Sequence, residues 1–65
     1  MNPPATQIPI EEQVRCAERE VEKRKRFYPK WVAEGRMPQL KADREIAAME
    51  AIVQTLRNAK QPLLL

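Results

Sequence analysis

From Ile10 onward the apolar positions recur at helical spacing. Ile10, Val14, Ala17, Val21 and Tyr28 follow at steps of four, three, four and seven, which sets them on one stripe of an α-helix. Arg24 interrupts the stripe, and its stem is expected along the seam with its charged head in water. Glu11, Arg15, Glu18, Glu22 and Lys25 fall on the opposite face. Pro29 lacks an N–H and restricts Tyr28, which predicts an end or a kink there; the first helix is read as 10–28. The stretch KWVAEG can add one more turn, closed by Gly35 as the left-handed residue after a helix end. Residues 29–37 are then the connection. A second helix is predicted over 38–60, with Pro38 at its first position. Its stripe is Ala42, Ile46, Met49, Val53 and Leu56, widened by Ile52 and Ala59. Residues 1–9 hold Pro3, Pro4 and Pro9 and read as an extended arm whose end Ile8 and Ile10 can tack to a core. Residues 61–65, after Pro62, read as a short apolar tail. No strand alternation and no internal repeat occur.

The expected fold is therefore all-α, an antiparallel two-helix hairpin. A chain of 65 residues buries a poor fraction of its surface. The usual remedies are disulfides, a metal or oligomerisation. A single cysteine, Cys16, excludes an internal disulfide, and the absence of histidine leaves a zinc site without ligands. Oligomerisation remains. Ile52, Ala59 and Cys16 extend past the hairpin seam, and an apolar margin of this kind marks a partner surface. A homodimer forming a four-helix bundle is the expected way to cover it. Val14, Val21, Tyr28, Ile46, Met49, Ile52, Val53 and Leu56 are its expected core and dimer residues.

Charge adds a second pattern. The net charge of +3 is mild, but residues 11–22 carry five Glu against two Arg, whereas residues 23–36 carry six Lys or Arg against Glu34. Acid at the start and base at the end of the first helix complement its macrodipole. Glu20 precedes Arg24 by four residues and Glu22 precedes Arg26 by four, the favoured order for helix ion pairs. The basic run also meets all three aromatics, in EVEKRKRFYPKW. Two readings stand side by side. In one, the cations cap the helix while Tyr28, Trp31 and Val32 close the turn end of the core. In the other, Lys23, Arg24, Lys25, Arg26, Lys30 and Arg36 contact phosphates, with Phe27 or Trp31 stacking on a base. Four consecutive basic residues on a helix point about 100° apart and make no single stripe, which weighs toward the first. An acidic protein surface is a further partner for the same patch.

Catalytic chemistry finds no support. Cys16 has no histidine base and reads as a packing residue. Glu18, Glu22, Asp43 and Glu50 lack the histidines that accompany carboxylate metal sites and read as surface solvation. Met37 and Met49 read as core or turn filler. No cofactor and no enzymatic activity are expected. The N-terminus lacks the pattern of a signal peptide, no apolar run approaches 18 residues, and a lone cysteine fits a reducing cytosol.

Across Tyr28, Pro29, Val32, Gly35 and Met37, then Lys41, Ala42, Asp43, Glu45, Ile46, Met49, Glu50, Ala51 and Ile52, the chain resembles a group of small proteins encoded by phages and prophages of proteobacteria. The resemblance covers roughly residues 12–57. Pro38 departs from it, because a Ser or Thr cap is expected there. The pattern carries no known active site, so no functional residue transfers. What it implies is context: a small protein in the cytoplasm of a bacterial host that binds a host or phage protein and inhibits or redirects it. The contact surface expected for that partner is the turn end, Phe27, Trp31, Arg36 and Met37, with Lys23, Arg26 and Lys30 around it. A nucleic-acid-binding accessory protein is the alternative, and no membrane role is expected.

Overall fold

The structure, a computed structural model, describes residues 8–60 and contains two helices, α1 (Ile10–Ala33) and α2 (Gln39–Lys60). The two pack against each other as a hairpin. The arm over residues 1–7 and the tail over 61–65 lie outside the described residues.

Helix α1 starts because Pro9, extended at φ −61° and ψ 149°, supplies its carbonyl to the N–H groups of Glu12 and Gln13. Proline has no N–H to leave orphaned there. Glu11 and Glu12 occupy the first turn and complement the positive end of the dipole. Ile8 is tied back by its carbonyl, which accepts a hydrogen bond from Gln13 Nε2 at 2.9 Å.

The predicted end of α1 at Tyr28 is corrected by the structure. The helix runs through Pro29 for one more turn and ends at Ala33. Pro29 deprives the carbonyl of Lys25 of its helical partner. Both residues are exposed, so water can satisfy that oxygen, while Trp31 and Val32 become half-buried in the added turn.

Helix α1 closes with a Schellman motif. The N–H of Arg36 reaches the carbonyl of Trp31 at 2.8 Å, and the N–H of Gly35 reaches Val32 at 3.0 Å. Gly35 adopts φ +75°, the left-handed conformation expected of it. Pro38 lies just before α2 rather than inside it, and its carbonyl accepts from Ala42 N–H at 3.1 Å.

Among the described residues the buried core is small and consists of Val14, Ala17, Val21, Ala42 and Val53. Ala17, Val21 and Val53 form its centre, with Met49 and Leu56 packed against them. Tyr28 and Ile46 are half-buried, and Ile52 is 46% exposed. The seam is thus lined by Val and Ala, while the larger apolar side chains sit at or beyond its margins.

Candidate functional site: the two flanks and the turn end

The seam divides the hairpin into two flanks of different chemistry. On one flank the helices are joined by ion pairs: Glu18 of α1 with Arg57 of α2, and Lys25 with Glu50 at 3.0 Å. Glu50 acts first through its hydrogen bond, then through its charge, to hold the Lys25 ammonium above the ordinary lysine range. Val21 and Val53 lie at the floor of the shallow groove between these pairs.

The other flank is apolar toward the open end of the hairpin. A shallow groove there is bounded by Ile8, Cys16, Ala17, Met49 and Leu56, with Gln13 and Glu20 among its polar margins. Ile52 lies three residues from Met49 and four from Leu56, so it projects on the same flank. Cys16 is exposed in this groove, past the seam, at the apolar margin where the sequence sets it. It sits about 140° around α1 from the seam residue Val21, too far to reach α2.

Midway along this flank Arg24 clasps the two helices. Its Nε donates to Glu20 Oε2 at 2.9 Å, and its Nη1 donates to the backbone carbonyl of Glu45 on α2 at 2.8 Å. The Glu45 carboxylate lies 3.6 Å from the same nitrogen. The guanidinium also stands 5.8 Å from the centre of the Tyr28 ring. The hydrogen bond to Glu20, opposed in part by desolvation, raises the Arg24 pKa above its ordinary value. The Glu20–Arg24 pair therefore forms as expected from spacing, but the Arg24 head is engaged across the seam rather than left in water. Among the described residues Arg26 makes no ion pair with Glu22.

The turn end holds the three aromatics as one cluster. Phe27 stacks on Trp31 with ring centres 6.3 Å apart, and Tyr28 meets Trp31 at 5.4 Å with tilted planes. Lys30 stands over the Phe27 ring at 5.7 Å, and Arg36 over Trp31 at 5.4 Å. Arg36 also pairs with Glu34 at 3.2 Å. Met37 is half-buried beside this end of the chain. The structure thus gathers Phe27, Lys30, Trp31 and Arg36. Lys23 lies one turn before Phe27 and Arg26 one turn before Lys30, beside this cluster, and among the described residues neither makes an ion pair or stands over a ring.

Sequence reasoning missed two features here. The Glu45 carbonyl that Arg24 binds is main chain and leaves no sequence signal. The sorting of the KRKR run depends on where α2 lies: Arg24 turns to Glu45, Lys25 to Glu50, and Lys23 and Arg26 stay outside. Among the described residues no three acidic or cysteine side chains are grouped so as to hold a metal ion, and no helix is long and apolar enough to cross a membrane. Comparison with family models, with curated proteins and with solved structures returns no match for this chain.

Proposed function

We propose that this chain is a non-enzymatic protein-interaction module that works as a homodimer and binds a host or phage protein, inhibiting or redirecting it in the bacterial cytoplasm. One observation carries the reading. Among the described residues those fully buried are Val and Ala, whereas Ile52 is 46% exposed and the half-buried Met49 and Leu56, with Ile8, line an open groove on the same flank. A chain stable by itself places its largest apolar side chains inside; this one holds them at a margin that a second apolar surface would close. Two such flanks packed together give a four-helix bundle.

The partner surface we assign is the turn end. Trp and Arg are enriched among interface residues that dominate binding, and here Trp31, Phe27 and Arg36 form one exposed or half-exposed cluster. The alternative in which these rings stack on bases is less favoured, because Phe27 and Trp31 each already carry a cation against the ring. The phage resemblance supplies the cellular context.

Affinity capture from bacterial lysate with paired variants tests the assignment. A stoichiometric protein should be retained by the wild type and by Lys41→Gln, and lost with Trp31→Ala or Arg36→Glu. Failure to retain any stoichiometric protein across several growth conditions, or equal retention by all variants, contradicts it.

A further inference from the structure

We infer that the outer face of α1 is a binding surface for the phosphate backbone of a nucleic-acid duplex, read without regard to base sequence. Arg15, Arg19, Lys23, Arg26 and Lys30 follow at steps of four, four, three and four, so all five leave α1 on the side away from α2, with Arg19 also lining the margin of the groove that Met49 and Leu56 of α2 bound. All are exposed, and among the described residues none forms an ion pair. The structure creates this stripe by subtraction: Arg24 and Lys25, which would blur it, are engaged by Glu45 and Glu50. Three carboxylates lie on or beside it, and Glu12, three residues before Arg15, shares its N-terminal end. Glu18 is held by Arg57, and the field of Glu22 is felt by Lys25 on the neighbouring flank.

The geometry suits a duplex. From Arg15 to Lys30 the stripe runs about 22 Å at about 1.5 Å per residue. That length spans six to seven base pairs at about 3.4 Å per phosphate along one strand. The shallow depression between Arg15, Arg19, Lys23 and Arg26 is also lined by Glu18 and Glu22, and by no apolar residue. It therefore lacks the aromatic or aliphatic anchor on which a tight protein interface depends. It also lacks the apolar face that holds a helix in a membrane surface, since the apolar stripe of α1 is spent on α2. A single strand would call for free rings to stack on, and the ring next to the stripe, Phe27, already carries Lys30 over its face. A phosphate backbone requires only cations in a row. The stripe shares Lys30 with the turn-end cluster and Arg19 with the margin of the apolar flank, while Arg15, Lys23 and Arg26 belong to neither, and these three separate the phosphate surface from the protein-partner reading.

The test titrates the full chain into a fluorescein-labelled 24-base-pair duplex, and into a second duplex of unrelated sequence, at several salt concentrations. Five phosphate contacts give a slope of log affinity against log salt of about −4.5, a loss of roughly 500-fold between 50 and 200 mM. Arg19→Gln combined with Arg26→Gln should reduce the magnitude of that slope by about two. The charge-matched pair Lys41→Gln with Arg44→Gln, exposed cations on α2, should leave it unchanged. No binding at 20 mM salt, equal loss with both double variants, a strong preference for one duplex, or tighter binding to anionic lipid vesicles each overturns the inference. Duplex binding that survives Trp31→Ala separates this surface from the turn end.

Discussion

Arg24 of α1 donates a hydrogen bond to the main-chain carbonyl of Glu45 on α2 at 2.8 Å, and Glu20, one turn before it, holds the guanidinium in place. A charged donor sharing a backbone oxygen on the facing helix ties the register of one helix to the other. It also explains why an arginine occupies a position in the apolar stripe of α1. Replacement by Met keeps the stem and deletes the fork, and should destabilise the hairpin by about 1–2 kcal/mol. Lys at this position cannot bridge Glu20 and Glu45 together and should recover only part of the loss. Chemical denaturation of both variants checks this, and an unchanged midpoint for Arg24→Met contradicts it.

Gly35 is held at φ +75°, and a Cβ built there meets nothing within 4 Å. The cost of Gly35→Ala is therefore backbone strain alone, about 1 kcal/mol, with Gly35→Asn closer to wild type. Thermal melts of the three proteins should rank Gly, Asn, Ala. Equal melting points for Gly and Ala would show that the turn does not depend on the left-handed conformation.

Pro29 sits inside α1 on its exposed side. Pro29→Ala restores the N–H that the Lys25 carbonyl lacks and should stabilise the helix by about 1–3 kcal/mol. Raised helicity by circular dichroism together with a raised melting point is the expected outcome; a lowered melting point would mean that the proline shapes the turn end in a way the added helical turn does not reveal.

Lys25 gains a partner in Glu50 on folding, and its pKa is raised above the ordinary lysine value. A raised pKa in the folded state means that the pair contributes stability in full below the unfolded pKa. That contribution is lost as pH rises through the folded value. The melting point should therefore hold steady through neutral pH and fall in the alkaline range above that of ordinary lysine. Lys25→Met should remove part of this alkaline fall. The pair is exposed to solvent, so its contribution should also weaken with added salt. A melting point that rises with alkalinity contradicts the pairing.

The two stripes and Gly35 were legible in the sequence because each has a local physical cause. Period 3.6 sets Val14, Ala17 and Val21 against Ala42 and Val53, and only glycine takes φ +75° without strain. Pro29 misled because local rules treat a proline as a stop, whereas a proline on the solvent side loses one bond that water replaces. The Glu20–Arg24 pair and the spacing of Arg15 to Lys30 stand in the sequence, whereas the Glu45 carbonyl that Arg24 binds and the capture of Lys25 by Glu50 were not legible, since both depend on the position of α2. Adjacent residues Lys23, Arg24, Lys25 and Arg26 have equal claims in the sequence. Only the packed partner assigns Arg24 and Lys25 to the seam and its flank and leaves the others outside.

The central claim is that one hairpin buries too little and that the Ile52 flank closes against a second copy. Sedimentation equilibrium of the wild type and Ile52→Glu, from high micromolar to submicromolar concentration, tests it most directly. Since Ile52 is already 46% exposed in one hairpin, a charge there costs a monomer little, but it would be buried in the pair. The account predicts a wild-type dimer whose melting point rises with concentration, and an Ile52→Glu chain that is monomeric and markedly less stable. A wild type that sediments as a compact monomer at low micromolar concentration and melts cooperatively, at the same temperature as Ile52→Glu, would contradict it.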